Sequence, residues 1–304
     1  MRRSADRRLA SRRGSPLSAS RSDVLDASAI GDVVREAIPR LACSLRADVR
    51  EALERALTAE RSERGRRVIE MLLDNAAIAE RDGSPLCQDT GTVWVWVEAG
   101  QYECVPPGLA QALDAAVRDA YQTSGLRMSV VRDALLDRSN TGDNTPAFLD
   151  VSWRPGSGAT VHVMLKGGGS DNASCVRMLP PSAGEDGVVE AVLGAVTEKG
   201  ASACPPLVIG VGIGGTFDTV AKLSKRALLR SLDAPATDPR TRALEERILA
   251  AVNATGIGPA GLGGDTTALG VRVLTAPSHI AALPVAVNLG CCAMRSASIE
   301  VSGA

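Results

Sequence analysis

Residues 85–98 run Pro85-Leu86-Cys87-Gln88-Asp89-Thr90-Gly91-Thr92-Val93-Trp94-Val95-Trp96-Val97-Glu98. The first half is a polar turn that carries a thiol, an amide, a carboxylate and a hydroxyl on successive residues. The second half, Thr92–Glu98, is almost entirely β-branched or aromatic. That composition fits a pleated, half-buried surface and predicts a strand. Upstream the period changes. Val33, Val34, Ile38 and Leu41, then Leu53 and Leu57, then Val68, Ile69, Leu72 and Leu73 recur at helical spacing. Residues 28–81 are therefore predicted helical, with Asp26 or Ser28 as the opening cap.

Downstream, residues 108–123 return to a helical period after Pro106-Pro107. Ala147–Trp153 and Thr160–Leu165 read as paired strands around the turn Pro155-Gly156-Ser157-Gly158. Glu185–Lys199 reads as a helix stopped by Gly200. Leu207–Val211 reads as a short buried strand running into Gly212-Ile213-Gly214-Gly215 and then a helix to Arg230. Asp238–Ala254 reads as a helix, and Thr267–Leu274 and Leu283–Val287 as strands. No repeat and no linker interrupts residues 27–304. The expectation is one large mixed α+β unit after an Arg/Ser-rich tail at residues 1–26.

Of the 304 residues, 45% are hydrophobic and 23% charged, which excludes wholesale disorder. Only three Trp, two Tyr and two Phe are present, so the core must be aliphatic. The net charge of −1 hides an asymmetry: residues 1–21 hold seven arginines against Asp6, which leaves the rest of the chain acidic. An acidic body lacks the basic face a nucleic-acid binder needs. The tail reads as a solvated segment, although its Arg/Ser bias also resembles an organellar targeting peptide. No eighteen-residue apolar window marks a membrane span, and no apolar h-region marks a secretory signal. Seven cysteines in such a chain point to reduced thiols in the cytoplasm.

Several stretches carry chemistry. Lys166-Gly167-Gly168-Gly169-Ser170-Asp171-Asn172 follows a predicted strand, and its glycines let backbone N–H groups approach an anion. It lacks the Gly-Lys-Ser/Thr of a P-loop. Gly210–Gly215 satisfies G-x-G-x-x-G between a strand and a helix, a weak dinucleotide signal for which tight strand-to-helix packing is the plainer reading. Gly256–Thr267 is a second glycine-rich loop that brings backbone close to something. Cys87, Cys204 and Cys291 lie far apart in sequence, and spacing alone does not make them a cluster. His162, inside a strand pattern, reads as structural, and a lone His279 has the same plain alternative.

Taken together and in order, Cys87–Gly91, Asn140–Pro146, Lys166–Asn172, Cys204-Pro205-Pro206, Gly210–Gly215, Gly256–Thr267 and His279–Asn288 resemble the α-type domain of the class I, iron–sulfur fumarate hydratases and L(+)-tartrate dehydratases. The resemblance implies a hydro-lyase that interconverts fumarate and (S)-malate, or one that acts on L-tartrate or a related hydroxy-dicarboxylate. It implies a [4Fe–4S] cluster held by Cys87, Cys204 and Cys291, with one iron open to act as a Lewis acid. It places Gln88, Arg127, Gly167 and Gly168 at the substrate, with Arg127 suited to fork onto a carboxylate. Asp89 would handle the proton of the departing hydroxyl, and His279 would reach substrate from a neighbouring protomer. The family's remaining catalytic groups lie in a β-type domain absent from this sequence. The resemblance thus implies a β-type partner subunit, an α2β2-like assembly and no activity for the α chain alone. One departure stands out: Cys292 follows Cys291 where a histidine is expected, a spare thiol able to compete for iron or to form a disulfide. A reading from another class, a non-catalytic iron–sulfur interaction module, would predict degraded motifs, whereas Asp89, Arg127 and all three cysteines persist.

Overall fold

The computed structural model describes residues 25–302, so nearly all of the expected tail at 1–26 lies outside the described residues. The helical stretch resolves into α1 (Ala27–Cys43), α2 (Ala47–Ala59) and α3 (Glu63–Asp82). Asp26 caps the first by accepting the Ser28 N–H. Ile30, Val34, Ile38 and Leu41 form its buried stripe. Gly83, in the left-handed region, ends α3.

The first sheet holds β1 (Thr92–Gly100), β2 (Phe148–Arg154), β3 (Ala159–Lys166) and β8 (Arg295–Val301), in the order β2-β1-β3-β8. The expected pairing of residues 147–153 with 160–165 does not form. β1 lies between them, parallel to β2 and antiparallel to β3. The Pro155–Gly158 turn crosses the end of β1, and Gly100 N–H donates to Gly158 O at 2.7 Å. A Cβ on Gly100 would sit 2.5 Å from Gly156 O, so glycine is required at the crossing. Two strand spacings are about 10 Å, which four residues span. β1 and β3 take the centre; β3 is buried on both faces, and β1 buries Val93, Val95 and Val97 on one face and Trp94 on the other. α1 and α4 (Leu109–Thr123) pack on one face, with Val34, Leu113 and Val117 against Val95, Val161 and Val163.

After α5 (Gly168–Asn172), the second sheet is built from β4 (Cys175–Leu179), β5 (Leu207–Gly215), β6 (Ala268–Ser278) and β7 (Leu283–Gly290), in the order β4-β7-β5-β6. α6 (Gly184–Lys199) and α8 (Pro239–Asn253) cover it through Val192, Val196, Ile248 and Val252. Gly200 does not end α6 in a left-handed cap. It stays right-handed, and a 3-10 turn continues through Ala203 to Cys204. The Gly210–Gly215 segment is strand rather than loop. A Cβ on Gly210 would lie 2.2 Å from Ser224 O, and one on Gly212 2.6 Å from Val220 O. These glycines let α7 (Phe217–Ala227) lie directly on β5, which leaves no room there for a dinucleotide. Trp94 and Met164 of the first sheet meet Val208 and Leu228 beside β5 and α7, and Val49 and Leu53 of α2 close that junction. The class is α+β, as the sequence predicts. Among the described residues no helix is long and apolar enough to cross a membrane.

Candidate active site

Three loops converge below the junction of the two sheets. Cys87 follows α3, Cys204 follows the 3-10 turn, and Cys291 and Cys292 follow β7. All four line one cavity of about 330 Å3, with Leu53, Leu72, Leu86 and Pro205 as its apolar walls. Each loop is tied down by backbone bonds. Leu86 N–H donates to Ala42 O at 2.8 Å, and Asn75 Nδ2 donates to Leu86 O at 3.0 Å. Cys204 holds a left-handed conformation with φ 56°, and its carbonyl accepts the Cys292 N–H at 3.0 Å. Ala260 N–H donates to Pro205 O at 2.8 Å, so the Gly256–Thr267 loop serves the Cys204 turn. That loop is clamped in turn by the Glu60 carboxylate, which accepts the N–H groups of Asp265 and Thr266 at 2.9 Å. Burial pushes the Glu60 carboxyl up, but the N–H donors of Asp265, Ser62 and Thr266 outweigh it and hold the carboxyl below its ordinary range.

The thiols feel one another. Burial pushes the Cys204 thiol up, and negative charge on Cys291, Cys87 and Asp89 adds to it. Cys292 is raised far more, by burial first and then by Cys291, Cys204 and Cys87. Clustered thiols that resist one another's ionisation favour a bound cationic centre that relieves the repulsion. Among the described residues no three His, Cys, Asp or Glu side chains stand close enough to share one metal ion. Thiols spread around a cavity suit a larger soft centre, and an all-sulfur donor set suits iron–sulfur chemistry.

Asp89 stands beside the thiols, and its N–H points to Cys87 Sγ at 3.5 Å. Its Oδ2 accepts the Gly168 N–H at 2.8 Å, and its Oδ1 accepts the Gly91 N–H at 3.0 Å. The Cys87 thiol donates to Gln88 Oε1 at 3.2 Å. Thr90 Oγ1 donates to the Arg127 carbonyl at 2.5 Å, which brings Arg127 to this loop with its side chain exposed. The structure thus gathers Cys87, Gln88, Asp89, Arg127, Gly167, Gly168, Cys204 and Cys291. His279 stands apart, in the exposed loop that joins β6 to β7, where its Nδ1 accepts the Ala281 N–H at 3.1 Å. His162 is structural: it bonds Ser298 and Glu98 and stacks on Trp96 at 4.6 Å.

The site-residue reading from sequence left out two supports. Tyr121 is fully buried and donates to the carbonyls of Thr90 at 3.1 Å and Gly91 at 3.0 Å. Burial pushes its hydroxyl up to about 12. Asn144, also fully buried, donates to Gly91 O and accepts the Ser129 N–H. Its φ of 60° is tolerated by asparagine better than by most residues. The Asn140–Pro146 motif held that signal, whereas nothing in the α4 pattern marks Tyr121.

Comparison with known proteins shows the family. The sequence profile described as Fumarate hydratase (Fumerase) matches residues 31–300. A Methanocaldococcus jannaschii protein, provisionally named L(+)-tartrate dehydratase subunit alpha, is 36% identical over 274 residues, 88% of this chain and 96% of the relative. L(+)-tartrate dehydratase subunit alpha from Escherichia coli strain UTI89 is 34% identical over 258 residues, and that of strain K12 is 33% identical over the same length, 84% of each chain. A profile that spans both sheets and every cysteine loop, with relatives covering most of the chain, places this protein in the fumarate hydratase family of hydro-lyases.

Proposed function

We propose that the chain is the cluster-binding α subunit of a hydro-lyase that adds water reversibly to fumarate to give (S)-malate. The observation that carries this reading is the convergence of Cys87, Cys204 and Cys291 on one cavity beside Asp89. Those three thiolates would hold a [4Fe–4S] cluster, which supplies a Lewis acid that weakens the substrate's carbon–oxygen bond. Asp89 is held by two backbone N–H groups in a fixed orientation, which suits it to move the proton of the hydroxyl. Gln88 and the Gly167–Gly168 turn flank it, and Arg127 offers a two-donor edge to a carboxylate. His279, exposed in the loop between β6 and β7, would reach substrate in a neighbouring protomer.

The names of the relatives, each a subunit alpha, support a β-type partner and an α2β2-like assembly. The partner would supply the remaining substrate contacts, so the α chain alone would be inactive. All seven cysteines are free thiols, as a reducing cytoplasm would keep them. A second reading, dehydration of L(+)-tartrate, is favoured by those same names.

The test is turnover by the anaerobically loaded α–β complex on fumarate, mesaconate and L-tartrate. Turnover of fumarate above tartrate supports the first reading. Tartrate alone shifts the assignment to the second. A cluster-loaded complex inert on all three contradicts the hydro-lyase reading.

A further inference from the structure

Arg295 opens β8 opposite Leu165 of β3, directly beneath the Lys166–Gly168 turn. It is 1% exposed, and its Nε and Nη1 have no hydrogen-bond partner among the described residues. Other covered arginines are treated differently. Arg46 pairs with Asp48, and Arg230 and Arg272 both pair with Glu245. A buried cation without a counter-charge is costly, so the fold gains nothing in stability by keeping this one unpaired.

Gly167 lies above Arg295. Gly167 sits at φ −69°, ψ 144°, a conformation any residue adopts, so the backbone does not demand glycine there. Space does. A Cβ on Gly167 would stand 3.1 Å from Asp89 Oδ2 and 3.8 Å from Arg295 Nη2. Glycine at 167 therefore keeps a side chain out of the narrow gap between the Asp89 carboxylate and the guanidinium. Asp89 and Gly167 are part-exposed and Gly168 is exposed, so the gap is reached from the surface of the site. Nη2 belongs to both two-donor edges of a guanidinium, and a planar carboxylate matches either edge. Lys166, the neighbouring cation, is already engaged by Ser170 Oγ and Leu289 O at 2.7 Å each.

We propose that Arg295 is a substrate-binding residue, whose guanidinium takes one carboxylate of the dicarboxylate across the gap that Gly167 leaves. This rests on the reading of a dicarboxylate substrate above. It adds to Arg127 a second, internal carboxylate site that the chain supplies without its partner.

The test uses the anaerobically loaded α–β complex and measures equilibrium binding of succinate, an unreactive dicarboxylate. Arg295→Met, Arg295→Lys and Gly167→Ala are compared with wild type, with iron per chain and circular dichroism measured on each. The expected result is succinate affinity lowered about tenfold or more in Arg295→Met, partly recovered in Arg295→Lys, and lowered in Gly167→Ala with iron content unchanged. Succinate affinity equal to wild type in a folded, loaded Arg295→Met overturns the inference. Where the arginine variants do not fold, unchanged affinity in Gly167→Ala overturns it, and so does a wild-type complex that binds no succinate. A wild type that binds succinate but turns over no dicarboxylate defeats the hydro-lyase reading and leaves this inference standing.

Discussion

The backbone N–H of Gly168 donates to Asp89 Oδ2 at 2.8 Å. That bond joins two motifs 79 residues apart in sequence, the turn before β1 and the turn after β3. The antiparallel pairing of β1 with β3, Thr92 opposite Lys166, brings the turns together. The carboxylate proposed to move the substrate proton is thus aimed by the sheet and not by a flexible loop.

Asp89→Asn tests that aim. The amide keeps the shape but turns one acceptor oxygen into a donor facing an N–H. The expected outcome is a fall in kcat of about 10²–10⁴-fold with iron per chain retained. Loss of iron in the same proportion would show that Asp89 supports the cluster loop instead.

Tyr121→Phe removes the hydroxyl that serves two buried carbonyls of the Thr90–Gly91 turn. The loss expected in urea denaturation is about 1–3 kcal/mol, since Thr90 O loses the Tyr121 donor and Gly91 O is left with Asn144 Nδ2. A change below about 0.5 kcal/mol would mean that other donors take its place.

Asp143 governs acid stability near the site. Burial raises its carboxyl, but bonds from Thr145 and Arg118 outweigh that and hold it at about 2. A carboxyl lower in the folded state than its unfolded value of 3.8 stabilises the fold above that value, and the contribution is lost as pH falls toward 2. Asp143→Ala should cost about 1–2 kcal/mol at pH 7, with the difference from wild type shrinking as pH falls from 3.8 and closing near pH 2. A gap that persists at low pH would assign the effect to packing.

Gly210→Ala would push a methyl to 2.2 Å from Ser224 O, a backbone atom that cannot turn aside. The expected cost is about 1–3 kcal/mol, read as a lowered thermal midpoint. The same packing predicts no change in NADH fluorescence on titration with the wild-type chain. A saturable change would reopen the dinucleotide reading.

Helices and the first strand were legible in the sequence because α1 repeats apolar residues at one spacing and β1 opens with a run of β-branched and aromatic residues. The partners of strands were not. A turn such as Pro155–Gly158 looks the same whether it folds back or crosses a neighbouring strand, and here β1 pairs with both flanking strands. Gly212–Gly215 read as lying beyond the strand because the reason for glycine at 212, contact with α7, lies outside the segment. β8, Arg295-Ser296-Ala297-Ser298-Ile299-Glu300-Val301, has too many small residues to signal a strand, and Arg295 was hidden with it. In the site, the motif residues were named by resemblance. Of their braces, Asn144 lay inside a quoted motif, whereas Tyr121 shows only as hydrogen bonds in three dimensions.

The central claim is that three distant cysteines hold one cluster. The direct measurement is iron and acid-labile sulfide per chain after anaerobic reconstitution with the β-type partner, for wild type and for serine variants of Cys87, Cys204, Cys291 and Cys292. The account predicts about four irons and four sulfides in wild type and in Cys292→Ser, with loss in each of Cys87→Ser, Cys204→Ser and Cys291→Ser. A folded wild-type complex without iron, or one whose iron survives all three of those substitutions, would contradict it.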